Sequence, residues 1–123
     1  VRYEYYGLVE PGGSFGDPKS VTTPAAVDTP TGNNFPAGKT TTYTYTTGFM
    51  DERLNHNLLT ITDPKGQTYL RNVYSSEQDP SGLTFDRVVR QEWGDPGDLI
   101  DYVYVPQIPT AWNGFANWGW PAA

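Results

Sequence analysis

His56 is the chain's only histidine, and there is no cysteine. Nucleophilic catalysis of the Ser-His-Asp or Cys-His kind would have to pass through that one imidazole, and no Gly-x-Ser-x-Gly turn is present to raise a serine. One histidine also makes a poor zinc site, since only carboxylates remain to complete it. In "LNHN" His56 reads as a loop histidine. Asp95, Asp98 and Asp101 recur at every third position of "GDPGDLID". Oxygen ligands on a turn suit calcium, so Asp95 and Asp98 could share an ion; without the EF-hand spacing, a solvated turn is the plainer reading. Glu52, Glu77 and Glu92 belong to no recognisable motif, and paired carboxylates for glycoside hydrolysis would need a cleft that spacing alone does not supply. The aromatic residues are the sharpest chemical feature. Trp93 closes a strand-like run, and Trp112, Phe115, Trp118 and Trp120 punctuate the C-terminal segment. Exposed Trp rings stack on sugars, which makes a carbohydrate-binding β-domain using Trp93, Trp112, Trp118 or Trp120 one reading. Rings that cover a sheet face or an open edge are the other. No catalytic residue, cofactor or metal centre emerges, and the chain is not expected to be an enzyme.

The elements that would position these residues are strands. "TTTYTY" sets Tyr43 and Tyr45 on one face and Thr42 and Thr44 on the other. "LTIT" separates Leu59 and Ile61 from their threonines. "YLRNVY" sets Leu70 and Tyr74 against Tyr69, Arg71 and Val73. "LIDYVYV" sets Ile100, Tyr102 and Tyr104 against Asp101, Val103 and Val105. Alternation of this kind marks half-buried strands with one aromatic face. Only "GFMDERLNHNLL" (48–59) has a helix-like composition, and it is short enough for one turn at most. Three turns share Asp-Pro followed by Gly: "TDPKG", "QDPSG" and "GDPGD". In the first, Asp63 can accept a backbone N–H, the ring of Pro64 fixes its own φ at a turn value, and Gly66 tolerates positive φ. Asp95 and Gly97 mark the last. The expected fold is all-β: antiparallel hairpin repeats forming a twisted open sheet or part of a β-shell. Residues 1–10 end a first strand pair, 11–38 form a Pro/Gly/Thr-rich irregular insertion, 39–105 hold the hairpins and 106–123 form an aromatic irregular tail.

Strands close on tyrosine at Tyr5, Tyr45, Tyr74 and Tyr104. The last two intervals are nearly equal, and the first is longer because the irregular insertion falls within it. Recurrence at such spacing marks a repeat array, in which no unit buries its own face alone. "NLLTITDPKGQTYLRNVY" and "FDRVVRQEWGDPGDLIDYVY" then resemble the Rhs or YD-repeat family, whose loose repeat runs Gly-Arg-Leu, four residues, Asp-Pro-x-Gly, four residues, Tyr-x-Tyr-Asp. Asp63, Pro64, Gly66 and Tyr74 match in the first stretch; Arg87, Val88, Asp95, Gly97, Tyr102 and Tyr104 match in the second. "GKTTTYTY" looks like the second half of an earlier unit and "VRYEYYG" like the tail of one before it. The residue after the tyrosine is Thr46, Ser75 or Val105 where the family has Asp, and the period exceeds the family's about 20 residues. The resemblance implies a spiralling sheet of hairpins forming a hollow shell or surface scaffold, enclosing or supporting a cargo domain, toxin-related or at the cell surface. It also implies a bacterial, secreted, extracellular setting. The family's autoproteolytic Asp-Pro-Leu-Gly motif has no match, so no catalytic residue is carried over.

Composition narrows the partners. The formal net charge is −6, and no Lys/Arg cluster offsets it, which disfavours nucleic acid and anionic membranes. No apolar run approaches a membrane helix. The chain opens in mid-strand without an initiator Met, as a fragment of a larger repeat protein would. The partners expected are neighbouring repeats, a second copy paired strand to strand, or glycans.

Overall fold

The computed structural model describes residues 1–27, 34–94 and 97–106. They form one open antiparallel sheet of seven strands: β1 (Arg2–Tyr5), β2 (Pro18–Thr22), β3 (Thr40–Tyr45), β4 (Leu58–Thr62), β5 (Thr68–Tyr74), β6 (Val88–Gly94) and β7 (Gly97–Asp101). Their order in space is their order in sequence, so each strand pairs with the next and β1 and β7 are the edges. The all-β hairpin array expected from the alternation is the fold. One stretch differs. The segment 11–38, expected to be an irregular insertion with no strand longer than a few residues, contains the five-residue β2. This strand alternates in hydroxyls, with Ser20 and Thr22 buried, and is flanked by Asp17-Pro18 and Pro24, so it lacks the apolar rhythm that marks the others. Pro18 is its first residue, where a missing N–H is tolerated. At the far end β7 stops at Asp101, short of the tyrosine run, and only the Tyr102 N–H to Val89 carbonyl bond (3.0 Å) continues the pairing.

Register divides the side chains cleanly, because residues paired across antiparallel strands share a face. On one face Tyr3 pairs with Val21, and Tyr43, Ile61, Leu70 and Trp93 form a row across β3 to β6. On the other lie mostly threonines and charges, with Tyr69, Val73 and Leu99 among them. Hydroxyls meet across the strands at Thr22–Thr40 (2.9 Å), Thr44–Thr60 (2.5 Å) and Thr62–Thr68 (3.0 Å), and Arg90 grips Asp101 at 2.6 Å. That guanidinium holds the Asp101 carboxyl below its usual range. No second layer covers either face among the described residues, and only Tyr6, Leu54 and Leu70 are buried apolar side chains there. Stability therefore rests on cross-strand pairs, about 0.2–1 kcal/mol each, more than on a central core.

The connections at the two ends of the sheet differ in kind. One end has the tight turn that follows β4, where Asp63 Oδ1 accepts the Lys65 and Gln67 N–H groups (both 2.9 Å) and Gly66 adopts φ 84°. The turn chemistry read from "TDPKG" is what forms there. The other end carries three long loops of nearly equal length, 6–17, 46–57 and 75–87. Each begins where the register shifts, as Tyr5 pairs with Pro18, Tyr45 with Leu58 and Tyr74 with Val88. Each is closed by the same bond, from the first loop N–H to the last loop carbonyl: Tyr6 to Asp17 (2.9 Å), Thr46 to Asn57 (2.8 Å) and Ser75 to Arg87 (2.9 Å). The residue before that carbonyl is left-handed every time, at Gly16 (φ 88°), His56 (φ 65°) and Asp86 (φ 56°). Gly, His and Asp are among the residues that reach this region most readily. The same bulged strand end and closed loop thus follow Tyr5, Tyr45 and Tyr74. The helix-like stretch reduces to a single 3-10 turn, Glu52–Leu54, inside the second loop.

Tyr6 anchors the first loop. Its ring lies edge-on to Tyr45 (centroids 6.3 Å apart), its hydroxyl donates to the Tyr43 carbonyl at 2.7 Å, and Gly12 and Gly13 close over it. Gly13 leaves no room for a Cβ, which would stand 2.4 Å from the ring. Tyr6→Phe is expected to cost about 1 kcal/mol by losing one hydrogen bond, and Tyr6→Ala about 3–5 kcal/mol by opening a cavity. Urea denaturation of the two variants checks both the size and the order of these effects.

Candidate functional site

Adjacent long loops are tied side by side. The first and second are joined by His56 Nδ1 to Asp17 Oδ1 at 2.6 Å and by the Ser14–Thr47 hydroxyl contact at 3.0 Å. The second and third are joined by Asn57 Nδ2 donating to Asp86 Oδ1 at 2.5 Å, with the Arg53 guanidinium 5.1 Å from the centre of the Phe85 ring. Asp17 is fixed from several directions, since its other oxygen accepts the Ser14 N–H at 2.9 Å and its own carbonyl closes the first loop. The loop reading of His56 holds, with a specific task added: it occupies the left-handed position of its own loop and clasps the neighbouring one. Hydrogen bonding to Asp17 raises the His56 pKa above its ordinary value; Glu52, 3.6 Å from Nε2, adds to the effect.

Beneath the first two long loops the fold leaves a space of the same kind. In the first unit Tyr6 fills it. In the second, the equivalent residue is Thr46, whose hydroxyl turns back to donate to the Leu54 carbonyl (2.7 Å) and accept the Asn57 N–H (3.0 Å). A cavity of about 490 Å³ results, floored by Phe49, Leu54, Leu59 and Tyr74 and rimmed by Glu77 and Asp86. Tyr74 stands where Tyr45 stands in the first unit, and its hydroxyl donates to the Leu58 carbonyl at 2.7 Å. Tyr104 repeats that bond to the Val88 carbonyl, also at 2.7 Å, with the Arg87 guanidinium over its ring. Tyr74 in β5 and Tyr104 after β7 thus make the same bond, to the first residues of β4 and β6.

A second cluster lies on the aromatic face. Trp93 Nε1 donates to Gln91 Oε1 at 2.6 Å, and Gln91 Nε2 donates to Asn72 Oδ1 at 2.8 Å. Asn72 Nδ2 in turn donates to the Leu58 carbonyl at 3.1 Å. This chain of amides holds the indole in place while leaving it 47% exposed, with Tyr102 beside it, its hydroxyl 3.4 Å from Gln91 Oε1. Tyr69 is exposed on the opposite face of β5 from Leu70. Gly97 admits no side chain, because a Cβ would meet the Trp93 carbonyl at 2.5 Å. Asp98 pairs with Trp93 on the aromatic face and Asp101 pairs with Arg90 on the other, so the two do not converge. Asp95, Trp112, Phe115, Trp118 and Trp120 lie outside the described residues. Asp17, Asn57, Asp86, Asn72 and Gln91 carry much of this end's architecture yet belong to no motif. Their signal was the near-equal length of the three tyrosine-bounded loops and the short polar endings "GD", "HN" and "DR".

Comparison with family models, with curated proteins and with solved structures yields no match.

Because the folded state raises the His56 pKa, the stability contributed by the clasp is fully present below about pH 6.5 and is lost as pH rises through the higher folded value. The urea midpoint is therefore expected to fall between about pH 6 and pH 8. In His56→Asn, which keeps a residue suited to left-handed φ, that component of the slope should vanish. Equal slopes in the two proteins would show that His56 is not the group responsible.

Proposed function

We propose that the chain is a structural wall: a β-repeat segment of the Rhs/YD type whose sheet encloses or supports a cargo domain, without catalysis of its own. The observation that carries this reading is one open sheet, with no second sheet or α-helix packed on it among the described residues, whose long loops are locked to one another. An enzyme of this size would normally use such a sheet to pack a core around a cleft. A wall instead needs continuous backbone pairing, rigid spacing between units and faces free to meet something else. On the aromatic face the exposed Trp93 and the half-buried Tyr43 and Ile61 suit the side turned toward a partner; the threonine and charge face suits water. The repeat period and the Asp-Pro-x-Gly and Tyr elements support the family assignment, with a secreted or cell-surface setting following from it.

The open edges give the reading its first test. β1 is a short strand with Tyr3 and Tyr5 exposed and only Arg2 and Glu4 as charges, so it offers an outer edge for pairing with another repeat or another copy. Sedimentation velocity should show growth into dimers or longer species as concentration rises. Tyr3→Lys with Tyr5→Lys, which places repelling charges on that edge, should return the protein to a monomer. A wild-type protein that stays monomeric at every concentration would count against the wall.

The second reading is sugar binding on the aromatic face, favoured by the immobilised and half-exposed Trp93 with Tyr102 adjacent. Stacking there would need no loop rearrangement. A glycan array checks it: reproducible binding that disappears in Trp93→Ala supports this reading, and a blank array removes it.

A further inference from the structure

The cavity beneath the second long loop is the place in this repeat where a side chain is missing. In the preceding unit the same space holds the ring of Tyr6, 6% exposed, packed edge-on against Tyr45 and hydrogen-bonded to the strand below. Thr46 takes the place of Tyr6, and its hydroxyl is committed to closing its own loop. The receiving surface is nevertheless kept, with Tyr74 in the place of Tyr45 and Leu54 and Leu59 completing an apolar floor. A space of about 490 Å³ is within the range of small-molecule pockets and is ample for an aromatic ring with a substituent.

The rim sets the polarity of an occupant. Glu77 and Asp86 are the charged residues lining the cavity, and no Lys, Arg or His lines it among the described residues. Both acids are held in place. Glu77 Oε1 accepts the Asp79 N–H at 3.0 Å, and Asp86 accepts from Asn57 at 2.5 Å. A carboxylate brought in by a ligand would be repelled there, and a protonated amine would be attracted. We propose that this cavity binds small aromatic cations, with the aryl ring entering where Tyr6 stands in the first unit and an ammonium group seated at the Glu77–Asp86 rim.

Tyramine is a suitable probe and 4-hydroxyphenylacetate its anionic counterpart, sharing the ring and hydroxyl while reversing the charge. Two-dimensional ¹⁵N NMR titrations of the full chain with each compound should show tyramine shifting the amides of Asn57, Val73 and Ser75 at millimolar concentration, with the anion at least about fivefold weaker. Thr46→Tyr, which restores the missing ring, should abolish the tyramine shifts. Since that change also removes the Thr46 hydroxyl bonds, Leu59→Trp serves as an independent filling variant with the same expected loss. Glu77→Gln should weaken tyramine while leaving binding of neutral p-cresol unchanged. Absence of shifts at these amides, shifts scattered over the sheet, or equal response to cation and anion would overturn the proposal.

Discussion

Everything at the loop end of this protein depends on one backbone hydrogen bond made three times. The N–H that follows each tyrosine-ended strand must find the carbonyl of the residue just before the next strand, at the far end of a long loop. That reach is possible only if the chain reverses sharply at the penultimate position, which is why Gly16, His56 and Asp86 all lie in left-handed conformation. Once the loops are closed alike, they stand in line and can be cross-tied, by Asp17 with His56 and by Asn57 with Asp86. A loop left open would present its own unpaired backbone groups and could not hold its neighbour.

The same constraint explains why the sheet holds with so little core among the described residues. In a two-layer domain, apolar burial at about 25 cal/mol per Å² dominates the free energy. Here the described residues bury few large side chains, and order comes from near neighbours: strand to strand through threonine hydroxyls, tyrosine hydroxyl to the first carbonyl of β4 or β6 through Tyr74 and Tyr104, and loop to loop through the clasps. Such interactions are local to one hairpin and its neighbours, so stability is distributed along the sheet, as in arrays whose units contact only their nearest neighbours. None of them requires a reactive group, which is consistent with an architectural role. The two features that stand apart, the fixed Trp93 indole and the unfilled space above Tyr74, are also the two places suited to meeting a ligand.

Much of the fold was legible because alternation is strong wherever one face is apolar and the other threonine-rich. β3, β4 and β5 announce themselves in "TTTYTY", "LTIT" and "YLRNVY", and the turn at Asp63–Gly66 follows from the geometry of its residues. The strand β2 was hidden because Lys19, Ser20 and Thr22 alternate in hydroxyl burial and charge, which hydropathy does not distinguish from a polar loop. The loop end was legible only as a spacing. Nothing local to Asp17 or Asp86 points to the partner that each one meets, because His56 and Asn57 are distant in the chain and are delivered by the register of intervening strands. The aromatic residues stood out as the feature to watch, while the amides that fix Trp93 became visible only once β5 and β6 were paired.

Amide hydrogen exchange measures the three closed loops directly. The N–H groups of Tyr6, Thr46 and Ser75 should exchange slowly, with protection close to that of the strand amides beside them, and should recur as three matched positions along the chain. Protection at the strands combined with free exchange at Thr46 and Ser75 would contradict this picture, because the loops would then be open tethers and the sheet would have no repeating end to build on.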